Sequence, residues 1–391
     1  MYNLPPLASG KRSDTDTDPA PTPGTDGDTQ TEGGKGEKGE RWTLLEVLRW
    51  TTARFQQRHL PSARLDAEIL IAAALGLGRV QLYVQFDRPL GPEELATIRD
   101  FVRRRQRGEC VAYIVGKKEF FGLDLAVDAR VLVPRPETET LVDEALSRWR
   151  ERIPAPPEVE IVSFALDDAA GDDQVDPAEG AGAAAVPPPA PAAPSVPAAP
   201  SAPGPVPRIA DVGTGSGAIV VALGRQLPGS ELFAVDLSPG ALEVARANAE
   251  RHGLTVTWLE GDLATPLGGH APFDLIVANL PYVPSGELAS LPPEVRAEPH
   301  LALDGGPDGL ALVRRLVAVA PGLLAPGGSL VLEIGAGQAD AARRLLDQAG
   351  FTDARMRRDL GGIDRIVSAR QPGPPSPGGA ALPDAPTGGP A

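Results

Sequence analysis

The sequence predicts an α/β fold: a doubly wound, mostly parallel sheet preceded by a small helical domain and a β-hairpin. Three observations carry that prediction. From residue 207 onward, short apolar runs alternate with amphipathic stretches, the pattern of parallel strands joined by crossover helices. Before residue 108 the apolar residues recur at helical spacing, and over 119–133 the period shortens to two. The 391 residues allow two or three domains, but Pro 43 and Gly 44 together exceed a fifth of the chain and gather where no apolar periodicity exists.

In order, residues 1–40 read as a disordered acidic tail with no apolar run. Residues 41–116 form a helical domain. "TLLEVLRWTTARFQQRH" places Leu45, Leu48, Thr52 and Phe55 on one face, and "SARLDAEILIAAALGL" behaves likewise. "GPEELATIRDFVRRRQRG" opens on Gly-Pro and stops at Gly108. Residues 117–153 hold the hairpin, "EFFGLDLAVDARVLV", and a connecting helix, "TLVDEALSRWR", opened by "PRPETE". Residues 154–206 pass into "AAAVPPPAPAAPSVPAAPSAPGPVP", a composition of extended, semi-rigid chain, and read as a disordered insertion. Residues 207–370 carry the strands "RIADV", "ELFAVD", "TVTWLEGD", "FDLIVAN", "GSLVLEIG" and "DRIVSAR", with helices such as "PGALEVARANAERHG" and "GLALVRRLVAVAPGLL" between them. Residues 371–391, all but free of large side chains, read as a second disordered tail.

A formal charge of −15 argues against bulk attraction to nucleic acid, which depends on Lys and Arg neutralising phosphates. "FVRRRQRGE" could form a local basic face, but a solvated helix face explains it more simply. Cys110 is the only cysteine, so disulfides within the chain are excluded. His59, His252, His270 and His300 show no ligand spacing, and no metal is expected. The start lacks a signal-peptide core and no apolar run is long enough for a membrane span, so a soluble, cytoplasmic protein without a membrane partner is expected.

Ligands of such sheets bind beyond the carboxyl ends of the strands near the topological switch. There, "DVGTGSGAI" joins the first strand to its helix, and Gly213, Gly215 and Gly217 permit a tight turn with backbone amides facing a ligand. The second strand ends in Asp236, placed to accept both hydroxyls of a ribose. Its alternative is a cap for the next helix, for which Ser238 is the better residue. A third strand ends in "EGDL", with Asp262 and Leu263 beside an adenine. The spacing Gly-x-Gly-x-Gly, rather than Gly-x-Gly-x-x-Gly, favours S-adenosylmethionine over a nicotinamide cofactor.

The fourth strand then delivers "NLPY". An amide or aryl amine nitrogen is a poor nucleophile because its lone pair is conjugated. Two acceptors aimed at its N–H groups, the Asn279 side-chain oxygen and the main-chain carbonyl of Leu280, would favour attack on a sulfonium methyl. Pro281 shapes the turn, and Tyr282 can stack on a planar acceptor. The bland alternative is a strand end followed by a turn.

With these motifs in hand, the chain resembles the peptide chain release factor glutamine methyltransferases over about 42–150 and 207–370. The resemblance rests on "FFGLDLAVDARVLVPRPETETLV", "DVGTGSGAI", "VDLSPGALEVARANA", "GDL", "VANLPYVP", "EPHLALDGGPDGL" and "LEIGAGQ". It implies a Rossmann-like class I S-adenosylmethionine-dependent methyltransferase with a seven-stranded sheet, whose helical domain 41–116 recognises the substrate. It further implies that the methyl group goes to the glutamine of the Gly-Gly-Gln loop of class I release factors, and that the protein works as a monomer without nucleic acid. By the same similarity Gly213, Thr214, Gly215, Ser216, Gly217 and Asp236 hold the cofactor, Asn279 touches cofactor and substrate, and Asn279, Leu280, Pro281 and Tyr282 receive the glutamine. "PRPETE" is either only a capped helix start, whose first turn Glu137 and Glu139 suit, or also places Arg135 and Glu137 in the glutamine pocket or at its rim. Glu298 and Pro299 shape a loop over the pocket or a simple turn, and Glu333 reads as a buried strand end with no assigned role.

Three departures stand out. Leu263 replaces a common Trp, the Pro-rich insertion could loosen the small domain, and Leu280 replaces the first proline of the usual Asn-Pro-Pro-Tyr. Rival readings are a ribosomal protein glutamine methyltransferase, an rRNA adenine N6-methyltransferase, which shares "NLPY", a DNA adenine methyltransferase, and a non-catalytic adaptor. "PRPETE" and the accessory domain's position before the sheet favour release factors.

Overall fold

The computed structural model describes residues 42–153 and 206–373. The two tails and the insertion expected to be disordered lie outside the described residues, apart from their border positions.

α1 (Leu44–Gln57) starts at a reciprocal cap: Thr43 Oγ1 accepts from Glu46 N–H, and the Glu46 carboxylate accepts from Thr43 N–H at 2.8 Å. The buried stripe is Leu44, Val47, Leu48, Thr51 and Phe55. Leu48 and Phe55 match the sequence reading, whereas Leu45 and Thr52 lie half-buried at the stripe's edge. The cap makes Leu44 the first helical residue and centres the apolar face one position earlier. α2 (Ala63–Leu75) stops at the left-handed Gly76. α3 (Arg79–Val84) is followed by α4 (Pro92–Gln106) and then α5 (Val111–Val115). α3 and α5, of six and five residues, span too few turns to give a periodic signal in the sequence.

β1 (Lys117–Phe120) and β2 (Leu123–Ala126) pair antiparallel. Phe121 and Gly122 both take positive φ, 50° and 74°, which suits a two-residue hairpin turn. The strands stop at 126, short of the 133 predicted. Residues 127–133 instead bury Val127, Val131 and Val133 against Ala241 and Val244. A 3₁₀ turn, Pro136–Thr138, leads into α6 (Glu139–Arg150).

The larger sheet follows the predicted class. Its strands are β3 (Arg208–Val212), β4 (Glu231–Asp236), β5 (Val256–Glu260), β6 (Phe273–Asn279), β7 (Leu324–Glu333), β8 (Thr352–Arg358) and β9 (Asp364–Arg370), in the order β5-β4-β3-β6-β7-β9-β8. β3 to β7 run parallel, and β9, inserted between β7 and β8, runs antiparallel to both. β8, "TDARMRR", is a polar edge strand with no buried residue, and it carried no strand signal in the sequence. The helices are α7 (Ala218–Gln226), α8 (Pro239–Arg251), α9 (Pro293–Arg296), α10 (Ala311–Val319) and α11 (Ala339–Gln348). α6, α7 and α8 cover one face of the sheet, and α10 and α11 the other. Successive strands are added outward on one side of β3 and then, from β6, on the other, so the crevice beyond the carboxyl ends of β3 and β6 is the topological switch.

The two ends of the insertion meet at one carboxylate. Asp274 Oδ1 pairs with Arg152 at 2.9 Å, and its Oδ2 accepts from Arg208 N–H at 2.9 Å. Arg148, fully buried on α6, binds Glu144, Asp353 and Ser368, which fastens the helix across β8 and β9. α6 is thus fastened to the sheet next to the point where the insertion leaves the described residues. No helix among the described residues is long and apolar enough to cross a membrane.

Candidate active site

The carboxyl ends of β3, β4, β5 and β6 open into a cavity of about 420 Å³, within the range of small-ligand sites. Its floor is the turn after β3. The amides of Gly213 and Thr214 donate to Val235 O at 2.8 and 3.0 Å, which ties the turn to β4. Gly213 has φ +75°, and a Cβ there would stand 3.1 Å from the Leu280 side chain, so both conformation and space require glycine. Gly217, at φ +80°, is crowded in the same way by Ala245 at 3.1 Å.

Asp236, at the end of β4, accepts from Gly215 N–H at 2.8 Å and from Ser238 N–H at 2.9 Å, one oxygen each. Ser238, not Asp236, caps α8 through Ala241 N–H at 3.2 Å. Each Asp236 oxygen thus keeps a lone pair toward the cavity, the arrangement needed to accept two vicinal hydroxyls. Burial raises its pKa, opposed by the Ser238 and Gly215 amides. Asp211, one strand over, is fully buried. It accepts from Thr214 Oγ1 at 2.7 Å and Val220 N–H at 3.2 Å, and burial pushes its pKa up to about 7.

At the third strand end, Gly261, Asp262 and Leu263 line the cavity, and the Asp262 carboxylate is paired with Arg315 of α10. Leu263 has φ +50°, an uncommon conformation for a residue with a branched side chain, and it offers an aliphatic wall where the family often has Trp.

Asn279 closes β6, half-buried and facing the cavity. Its Nδ2 donates to Thr138 Oγ1 at 3.1 Å, which leaves Oδ1 as the outward acceptor. Leu280 lies beside it with its side chain 3% exposed, packed beneath Gly213, and Pro281 completes that wall. Tyr282 does not line this cavity. It is half-buried, its main-chain carbonyl accepts from Gln338 Nε2 at 3.0 Å, and burial together with the nearby Glu333 raises its pKa to about 12.

The roof comes from two loops. Residues 129–135 cross above the cofactor end, and Pro299, Leu301 and Ala302 close the far side. Arg135 lines the cavity and pairs with the buried Glu298 at 2.6 Å, while Glu298 also accepts from Val133 N–H at 3.4 Å. Glu298 therefore binds one roof loop to the other. Glu137 lies elsewhere, on a second hollow of about 240 Å³ with Glu139, Asp143 and Leu360. The structure brings together Gly213, Thr214, Gly215, Ser216, Asp236, Asp262, Leu263, Asn279, Leu280, Pro281 and Arg135. It sets Tyr282 and Glu137 outside the cavity's lining, and Gly217 behind it at the start of α7.

The sequence did not single out Thr138, which is 3% exposed and fixes the Asn279 amide, or Asn248. Asn248 is buried in α8 and joins Ala126 on the hairpin to Ser216 O in the glycine turn. A threonine among glutamates and an asparagine inside a helix have no local signature of these contacts, which span 141 and 122 positions of chain.

Chemically, the cavity combines close backbone approach and a diol acceptor at one end with an oriented amide oxygen at the other. That set fits S-adenosylmethionine beside a planar nitrogen acceptor. Comparison with known proteins agrees. A family model described as the PrmC N-terminal domain matches residues 46–116, and one described as a methyltransferase domain matches residues 209–297. The release factor glutamine methyltransferase of Geobacter sulfurreducens is 43% identical over 335 residues, covering 85% of this chain and 99% of that protein. Its namesake in Bradyrhizobium diazoefficiens is 39% identical over 333 residues, 84% of this chain and 95% of that one. In Rhodopirellula baltica the namesake is 35% identical over 334 residues, 84% and 97%.

Proposed function

This chain belongs to the release factor glutamine methyltransferases, and on that premise we propose how its residues act. The enzyme transfers a methyl group from S-adenosylmethionine to the side-chain amide nitrogen of the glutamine in the Gly-Gly-Gln motif of class I release factors. The observation that carries the mechanism is the oriented Asn279 amide, held by Thr138 at the cavity wall opposite Asp236.

S-adenosylmethionine, when bound, supplies an electrophilic methyl group. Asp236 would hold the ribose hydroxyls, the backbone of Gly213–Ser216 the amino-acid end, and Asp262 and Leu263 the adenine. At the acceptor end, Asn279 Oδ1 and the carbonyl of residue 280 take the two N–H groups of the glutamine amide. They place partial negative charge beside a nitrogen that gains positive charge as it attacks. Holding donor and acceptor in line supplies much of the remaining acceleration. Tyr282 and Glu137 act at the approach to the pocket rather than inside the cofactor cavity, and Arg135, through Glu298, keeps the roof closed over it. The helical domain 41–116 recognises the release factor. The protein works as a monomer in the cytoplasm, without nucleic acid or membrane. The relatives cited, release factor enzymes all, do not favour ribosomal protein or rRNA as the acceptor.

Purified protein and labelled methyl donor, offered release factor, its Gln→Ala variant and small-subunit rRNA in parallel, test this reading. Label is expected in the first alone. Label in RNA but not in release factor would sink the assignment.

A further inference from the structure

Glu333 ends β7 in register with Asn279 on the parallel neighbour β6, so the two side chains leave the sheet on the same face, side by side. It is 1% exposed, and neither carboxylate oxygen has a partner at full hydrogen-bond geometry, although the Thr138 and Asn279 side chains lie near enough to stabilise its charge. Burying a carboxylate without partners is costly, and an apolar residue would serve stability better. Thr138 and Asn279 are its polar neighbours, and both draw its pKa down against burial. Thr138 Oγ1 already accepts from Asn279 Nδ2 at 3.1 Å. A hydroxyl has one proton of its own to donate, and Glu333, in register with Asn279, brings an acceptor without a partner to this pair.

An asparagine amide has two orientations related by a half-turn. In one, Oδ1 faces the acceptor glutamine; in the other, an NH₂ group faces the substrate's own N–H and no acceptor remains. We propose that Glu333 is a positioning residue for methyl transfer: through Thr138 it holds the Asn279 amide with Oδ1 toward the substrate nitrogen. This rests on the reading of Asn279 as the acceptor of the glutamine amide. Glu333 itself touches neither substrate nor cofactor. Its part needs an oxygen that accepts from Thr138, which glutamine also supplies and leucine does not.

The test compares wild type, Glu333→Gln, Glu333→Leu, Thr138→Val and the double variant Thr138→Val/Glu333→Leu. For each, kcat and KM for release factor, the dissociation constant for S-adenosylmethionine and the thermal midpoint are measured. Glu333→Leu and Thr138→Val should each lower kcat about 10- to 100-fold with cofactor affinity unchanged, as expected when an orienting contact is lost. The double variant should fall no further than the worse single one, because both break one relay. Glu333→Gln should return kcat to within a few-fold of wild type. Unchanged kcat in Glu333→Leu, additive losses, or a Glu333→Gln enzyme as slow as Glu333→Leu would each overturn the proposal. Wild type inactive on release factor would overturn the reading of the acceptor and the proposal with it; active wild type with unaffected variants overturns the proposal alone.

Discussion

Leu280 shows how one residue separates chemistry from packing. On the mechanism proposed, what it offers the acceptor is a main-chain carbonyl, which leucine and proline supply equally, while its side chain fills the space beneath Gly213. Leu280→Pro should therefore change turnover only a few-fold but lower stability, by about 1–3 kcal/mol for the lost packing in a denaturant melt. Asn279→Ala should remove most activity, at least about 100-fold, as with other oriented donors and acceptors. Equal tolerance at the two positions would contradict both roles. Asp236→Ala should weaken S-adenosylmethionine binding about 10- to 100-fold in calorimetry, the worth of hydrogen bonds to a charged group. Glu333 adds a pH dependence. Burial raises its pKa from the usual 4.5 to about 7, so the folded protein holds this proton more tightly than the unfolded chain does. Stability from this group is present below pH 4.5 and is lost as pH rises to about 7, a change on the order of 3 kcal/mol. Glu333→Gln should raise the thermal midpoint at pH 8 relative to wild type by more than it does at pH 5; an equal shift at both would show that the carboxylate does not titrate in this range. The glycine turn, Asp236 and Asn279 were legible in the sequence because each lies at a strand end with a fixed spacing. Thr138 and the part played by Glu333 were not, since their meaning arises only where three distant segments meet.

At the scale of elements, the strands buried on both faces were readable to the residue, as β3, β4 and β6 are short apolar runs between turns. β8 was not, because an edge strand with one solvated face and three arginines needs no apolar alternation. Its attachment is through Arg148 of α6, whose partners Glu144 and Ser368 are buried with it. Removing the cation leaves Glu144 with less compensation in a dry site. Arg148→Ala should thus cost about 3–5 kcal/mol in a thermal or denaturant melt. Because α6 begins next to Thr138, its loosening should also slow methyl transfer before the molecule unfolds. A variant with wild-type stability would show that β8 and β9 hold α6 by other means.

Across the whole molecule, the Pro-rich insertion interrupts the sequence but not the architecture. Arg152 and Arg208 share Asp274, so its two ends lie at one point, and the elements they belong to are fixed by the sheet. Replacing residues 156–204 with a short Gly/Ser linker should leave the thermal midpoint and methyl transfer within a few-fold of the full chain; loss of folding would assign the segment a structural part. The helical domain reaches the cavity's roof through Arg105, buried between Asp66 and Glu294, the latter on α9, which leads on to Glu298 and Pro299. The helical domain thus meets the roof through these charged contacts and through an apolar cluster in which Tyr113 packs with Val131 and Val133. The acceptor atom of the methyl group is the most direct readout of this chemistry. Peptide mass spectrometry of release factor after incubation with enzyme and S-adenosylmethionine should find one added methyl group, on the glutamine of Gly-Gly-Gln, with wild type and not with Asn279→Ala. An unmodified glutamine with wild type, or an equally modified one with Asn279→Ala, would contradict it.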